Sequence, residues 1–254
     1  VIRRPPQGQL LPKAHDMSRE WSLISALGPT AVPVPEALGF CESPDVTGAW
    51  FYVMGCINGR PLYNNEETEG WVPEAKRLTL ANSFIDVLAD LHSLDPDEIG
   101  LSDLGKRDSY VGRQLKTWYR SWTSSIEGAD FDDARAHELQ QFFLEILTEQ
   151  EKARVVHGDY GLHNCLTGSD STVAAVVDWE ISTLGDPLAD LAYALNFFPD
   201  PSDTIPISPE AATAVAGFPT RTEMATRYGT RTGRDLSNLD YYTGFNRWKS
   251  ACIV

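Results

Sequence analysis

The sequence is short of cysteine, of long apolar runs and of positive charge, and each shortage excludes something. Its four cysteines, Cys41, Cys56, Cys165 and Cys252, are spread over 254 residues with no C-x-x-C pair. That spacing gives neither a zinc ribbon nor a disulfide framework, and it points to free thiols in a reducing, cytoplasmic compartment. No apolar run reaches the roughly 18 residues that a membrane-spanning helix needs, and no charged-then-apolar leader opens the chain. Lys and Arg number 21 against 36 Asp and Glu, a formal charge of −15. Neutralising phosphates takes a basic face, so neither nucleic acid nor an anionic membrane surface is expected as the main partner. Internal repeats and low-complexity segments are absent as well.

What is present is enough for a packed core: 42% of residues are hydrophobic, with seven Trp and ten Phe. Such a composition excludes disorder, and the length suits one large domain or two small ones. Val1-Ile2 before Arg3-Arg4-Pro5-Pro6 reads as the end of a strand. A helix is expected over 16–27, carrying Trp21, Leu23, Ile24 and Leu27, followed by strands at 37–41 and 49–54 around a Ser43-Pro44-Asp45 turn. Residues 55–59 break this pattern and form a candidate linker. From Pro73, a first-turn proline, the chain turns helical with Ala81, Phe84, Ile85, Leu88 and Leu91 on one stripe. Two more helices are expected over 108–124 and 134–150. Leu139, Phe142, Phe143, Ile146 and Leu147 of the second make a core stripe, and Trp118, Tyr119 and Trp122 of the first are read as core packing. The period then switches to short strands at 154–156 and 172–177. Asp186-Pro187 opens another helix, and the last, from Ser237, carries Leu239, Tyr242, Phe245 and Cys252 near one face and runs on to Val254. Both ends therefore read as trimmed or disordered.

The chemistry is concentrated between His157 and Asp190, in HGDYGLHNCLTGSDSTVAAVVDWEISTLGDPLAD. Asp159, Asn164 and Asp178 fall on loops or strand ends, where side chains converge on a ligand. Carboxylate and amide oxygens in that pattern suit a hard cation such as Mg²⁺ beside phosphate. An aspartate on the same loop suits orienting a hydroxyl and accepting its proton. His92, in LADLHSLDP, reads as a hydrogen-bonded histidine at a helix end.

The run His157-Gly158-Asp159, then Asn164, then Asp178-Trp179-Glu180 resembles the catalytic loop and metal motif of the aminoglycoside phosphotransferase and choline kinase-like enzymes, small-molecule relatives of the protein kinases. The resemblance covers nearly the whole chain. It implies an α+β, two-lobed protein-kinase-like fold, with residues 1–59 as the remainder of a small lobe and its hinge, and 60–254 as a mostly helical lobe. It also implies ATP and Mg²⁺ as cofactors and a small-molecule hydroxyl as acceptor. Asp159 matches the catalytic base, Asn164 and Asp178 the metal ligands, and Glu180 a second acid near the metal. Asp190 resembles the buried acid that braces the catalytic loop, and His157 a residue holding that loop in shape. Arg3 stands where the family has its phosphate-binding Lys, with Glu20 as its ion-pair partner, and Gly55 and Ile57 match the hinge that meets adenine. Arg3 is a departure, because a guanidinium is a fork of donors and not a point charge. The family's glycine-rich loop is expected upstream of Val1.

The opening RRPPQGQLLPKAHD and the GDPLADLAY segment look closer to the kinase-like domains fused to acyl-CoA dehydrogenases. That branch raises hydroxyacyl thioesters as acceptors beside aminoglycosides and choline. Two other classes compete. One is a metal-dependent hydrolase built on His157, Asp159, His163 and Asp178; the other is a pseudokinase-like nucleotide-binding module.

Overall fold

The computed structural model describes residues 1–6, 16–129 and 131–253. Most of the opening RRPPQGQLLPKAHD segment, residues 7–15, and the end of the last expected helix, Val254, lie outside the described residues. Strands β1 (Ile2–Arg3), β2 (Ala37–Cys41) and β3 (Phe51–Met54) form an antiparallel sheet in the order β1-β3-β2. Its register sets Arg3 opposite Tyr52 and Ile2 opposite Val53. Helix α1 (Met17–Leu27) begins where the Asp16 side chain accepts the Ser18 and Arg19 N–H groups, satisfying two donors that the first turn leaves open. It buries Leu23, Ile24 and Leu27 together with Glu20. Trp21 meanwhile stacks on Phe40 at 5.9 Å, which fixes the helix on the sheet.

The remainder is mostly helical. Helix α2 (Asn65–Trp71) is followed by α3 (Glu74–Ser93), which starts just after Pro73 and not with it inside the first turn. The expected stripe of α3, from Ala81 to Leu91, is fully buried. Helix α4 (Tyr110–Ile126) packs on α5 (Ala134–Glu145), and α5 departs from expectation. It stops at Glu145, and of its apolar stripe only Phe143 is buried, at 5% exposure. Leu139, Phe142, Ile146 and Leu147 face outward, because α5 meets α4 and α8 along one narrow edge. Trp122 of α4 lies in the core, as expected.

Two antiparallel ladders carry the segment from His157 to Asp178. Strand β4 (Arg154–Val156) pairs with β7 (Thr183–Gly185), and β5 (Cys165–Thr167) pairs with β6 (Val173–Val176). Asp186 caps α6 (Pro187–Leu195) through the Leu188 N–H, with Pro187 in the first turn as expected. Helices α7 (Arg221–Thr232) and α8 (Leu239–Ala251) complete the described chain. Helix α8 ends at Ala251, one residue before Cys252, and does not run on as the sequence pattern suggests. Its inner face reaches α6: Tyr242 donates to Asp186 at 2.8 Å, and Asn246 to the Ala189 carbonyl at 2.8 Å.

Candidate active site

Strand β4 delivers His157-Gly158-Asp159 into a tight bend. Gly158 has φ +86°, and a Cβ there would meet the Ile181 side chain at 3.2 Å, so the position favours glycine on both counts. The bend is held from beneath by Asp190 of α6. Its carboxylate accepts the His157 N–H at 2.7 Å and the Gly158 N–H at 2.8 Å, and it meets His92 Nε2 at 3.2 Å. Burial would raise the Asp190 carboxyl, but these donors and the two histidines outweigh it and hold it below the usual range. His92 is tied on its other side, where Nδ1 accepts from the Tyr228 hydroxyl at 2.7 Å.

The His157 ring is used up within the fold. Its Nε2 donates to the Val177 carbonyl at 3.0 Å, its Nδ1 faces the Asp159 N–H at 3.3 Å, and it packs 4.8 Å from the Trp179 ring. Burial pushes both His92 and His157 below the ordinary histidine value. The unfolded chain therefore binds protons that the folded one refuses. Stability is full above the unfolded pKa, near 6.5, and falls as pH drops through it, by at most about 1.4 kcal/mol per pH unit for each histidine. Denaturant melts at pH 7.5 and 5.5 are expected to show this loss, and His157→Asn is expected to flatten the slope.

Asp159 is gripped on both oxygens. The Tyr193 hydroxyl donates to Oδ1, and His163 Nε2 lies 3.3 Å from the same oxygen. Asn164 Nδ2 donates to Oδ2 at 3.1 Å and to the Asp159 carbonyl at 2.9 Å. Burial raises this carboxyl, yet the His163 and Tyr193 hydrogen bonds win and keep it below its usual value, hence ionised at neutral pH. From α8, Lys249 donates to the Gly158 carbonyl at 3.3 Å. Its Nζ lies 4.9 Å from the Tyr193 ring centre and 5.6 Å from that of Trp118. At 6% exposure its ammonium is pulled below the usual lysine range by burial. Trp118 is thus a partly buried wall behind the loop, and Tyr119 bonds to His137 at 3.0 Å.

Asp178 follows β6 with φ +65°, a left-handed conformation that costs a non-glycine residue and occurs where surroundings impose it. The following Trp179 is buried and donates to the Val176 carbonyl at 3.1 Å, which anchors the motif. Arg3 reaches across from β1. Its Nε and Nη2 each lie 3.3 Å from a Glu20 oxygen, and the same Nη2 is 3.2 Å from Asp178 and 4.0 Å from Glu180. Glu20 is 1% exposed and also accepts from the Tyr52 hydroxyl at 2.8 Å. Carboxylate oxygens of Glu20, Asp178 and Glu180 lie within 4.8 Å of one another, an all-oxygen set suited to a hard divalent cation. Asn164 joins this end through its backbone, whose carbonyl accepts the Val177 N–H at 2.9 Å.

The structure thus gathers Arg3, Glu20, Asp178 and Glu180 at one end and His157, Asp159, Asn164 and Asp190 around the bend. It does not gather His157 into a metal site with Asp159, His163 and Asp178, since both nitrogens of its ring face backbone groups. Between β3 and α2, the Gly55 N–H donates to the Glu36 carbonyl at 2.9 Å and the Ile57 carbonyl accepts from Gly59 at 3.1 Å. The Gly55 carbonyl and Ile57 N–H make no backbone hydrogen bond among the described residues. Tyr193 and Lys249 were not identified from sequence, whereas His92 is the hydrogen-bonded helix-end histidine that was expected. Tyr193 lies one helical turn beyond Asp190 and carried a signal. Lys249 comes from α8 and carried none, and for His92 the hydrogen-bonded state was legible but not the partner, Asp190.

Residues 1–226 match the phosphotransferase enzyme family, APH. The whole chain is 33% identical over 263 residues to mouse acyl-CoA dehydrogenase family member 10, covering 24% of that protein. Over 200 residues, 78% of the chain, it is 38% identical to chicken acyl-CoA dehydrogenase family member 11, covering 25% of it. The chain therefore spans about a quarter of the length of these two relatives. A crystal structure from Ralstonia eutropha JMP134, provisionally assigned as an aminoglycoside phosphotransferase, superposes with a TM-score of 0.78 at 29% identity, covering 94% of this chain and 73% of the other. An aminoglycoside phosphotransferase solved with GDP and kanamycin shares the fold, with a TM-score of 0.59 at 16% identity over 91% of this chain and 71% of the other. The chain belongs to the phosphotransferase enzyme family, and with it to the small-molecule kinases of two-lobed, protein-kinase-like fold.

Proposed function

We propose that the chain transfers the γ-phosphoryl group of ATP to a hydroxyl of a small molecule, with Mg²⁺ as cofactor. One observation carries the reading: the Arg3 guanidinium, forked onto buried Glu20, also touches Asp178. This joins a phosphate-binding cation on the first strand to the acids of the metal motif. Residues 1–59 supply the nucleotide-binding lobe and hinge, with the Gly55 carbonyl and Ile57 N–H toward adenine, and 60–254 supply the catalytic lobe. A cytoplasmic location fits the free thiols.

In this reading Asp178, Glu180 and the Asn164 amide oxygen hold the metal, and Arg3 meets the phosphates. Bound Mg²⁺ supplies charge neutralisation on the transferring phosphate. Asp159 orients the acceptor hydroxyl and takes its proton as the new O–P bond forms and the bond to the leaving oxygen breaks, the electron pair departing with ADP. Asp190 and His157 keep the loop in shape. The positioning of these groups, more than any covalent step, lowers the barrier.

A cavity of about 510 Å³ adjoins Asp159 through His163 and is walled by Tyr63, Phe84, Leu162 and Phe197, with Glu210 as its lone carboxylate among the described residues. An apolar, aromatic wall suits an acyl chain better than a polycation. The relatives bear the name acyl-CoA dehydrogenase, which supports a hydroxyacyl thioester as acceptor. The test is a transfer screen with radiolabelled ATP and Mg²⁺ over hydroxyacyl-CoAs, choline and kanamycin. Labelled hydroxyacyl-CoA is expected; label on kanamycin or choline alone would overturn the acceptor assignment. Asp178→Ala is expected to abolish Mg²⁺-dependent transfer while leaving the melting temperature nearly unchanged, because this half-exposed carboxylate adds little to the core. Full activity in that variant would move the metal elsewhere.

A further inference from the structure

We propose that His163 is a positioning residue that aims the Asp159 carboxylate, and that Gly161, Tyr63 and Phe197 are the seat that holds its ring in place. The proposal rests on the reading of Asp159 as the group that meets the acceptor hydroxyl.

The seat is built from three directions. The His163 ring stacks near-parallel to Tyr63, with centres 6.4 Å apart, and meets the edge of Phe197 at 5.9 Å. Beneath it lies Gly161, where a Cβ would stand 2.3 Å from the ring carbon Cε1 and 2.5 Å from Nδ1. Gly161 has no left-handed φ to explain its identity, so the space it leaves for the ring is what the glycine provides. The side chain is 26% exposed on the wall of the cavity beside Asp159. A carboxylate only accepts hydrogen bonds, so Nε2, 3.3 Å from Asp159 Oδ1, is the protonated nitrogen.

The arrangement has a stereochemical consequence. Oδ1 accepts from the Tyr193 hydroxyl and has His163 Nε2 3.3 Å away, whereas Oδ2 takes the Asn164 amide alone. A carboxylate oxygen has two lone pairs, so Oδ2 keeps one for the incoming hydroxyl. His163 thereby turns the reactive oxygen toward the Asn164 side, where the metal end lies, and away from its own.

The test compares three variants, using the acceptor from the transfer screen with the highest kcat/KM. His163→Ala is expected to lower kcat by about 10- to 100-fold, the scale of a misaimed reacting group, with the KM for ATP and the ATP-induced rise in melting temperature unchanged. His163→Gln, whose amide nitrogen reaches the same place, is expected to recover most of that loss. Gly161→Ala keeps the imidazole but evicts the ring, and is expected to reproduce the His163→Ala defect. Were His163→Ala to match an active parent in kcat, or Gly161→Ala to leave kcat intact, the proposal would be overturned and the kinase reading would stand. A parent that binds ATP yet transfers to no hydroxyl would overturn both.

Discussion

Asp159→Asn is expected to cut transfer by about 10²- to 10⁴-fold, the range that a positioned general base supplies, while the protein melts within about 1 kcal/mol of its parent. The small stability change follows from the contacts. An asparagine keeps an oxygen for the Tyr193 hydroxyl and His163, and its nitrogen replaces only the oxygen that met the Asn164 amide. The large kinetic change follows from the lost charge, because the wild-type carboxyl is held ionised by those same donors. The residues proposed to bind nucleotide lie elsewhere, so the ATP-induced rise in melting temperature is expected to persist. The measurement is kcat beside a denaturant melt. An Asp159→Asn enzyme with parental turnover would remove Asp159 from the chemistry.

Asp190→Ala is expected to fail in the opposite manner, losing about 1–3 kcal/mol of stability because it strands the buried donors that the carboxylate satisfied. Two backbone N–H groups, of His157 and Gly158, and the His92 ring all aim at this one carboxylate, and all three residues are buried. Turnover should fall as well, since the bend that presents Asp159 loses its anchor. Asp190→Asn is the companion variant: it keeps the shape and one acceptor oxygen, so it should recover part of the stability if the fold cannot bear alanine. The assignment of catalyst and brace would be reversed if Asp190→Ala melted like the parent while Asp159→Asn unfolded.

Where the pattern in the sequence was strong, the structure follows it. Helix α3 announced itself because Ala81, Phe84, Ile85, Leu88 and Leu91 repeat at helical spacing, and all five are buried. The acids and amide of the loop segment were legible because loop chemistry is local, with Asp159 and Asn164 five residues apart. Strands β5 and β7 were missed, since three residues carry no readable period. The α5 stripe misled for a physical reason. Periodicity reports which side of a helix is apolar, whereas burial depends on how much of that side a neighbour covers. The partners of Asp190 were half legible. Its likeness to a buried brace was readable from the GDPLAD segment, but the ring that meets it belongs to His92, 98 residues earlier.

The Lys249 tether ties the His157-Gly158-Asp159 bend to the order in which the chain is made. Gly158 emerges 91 residues ahead of the lysine that holds its carbonyl. At about 5–20 residues per second, synthesis separates the two by roughly 5–18 s. During that interval the strands around the bend can form, but α8 does not yet exist to fasten the bend, to cover Asp186 with Tyr242 or to bond Ala189 through Asn246. The nascent chain therefore carries Asp159 for seconds in a loop that α8 has not yet locked.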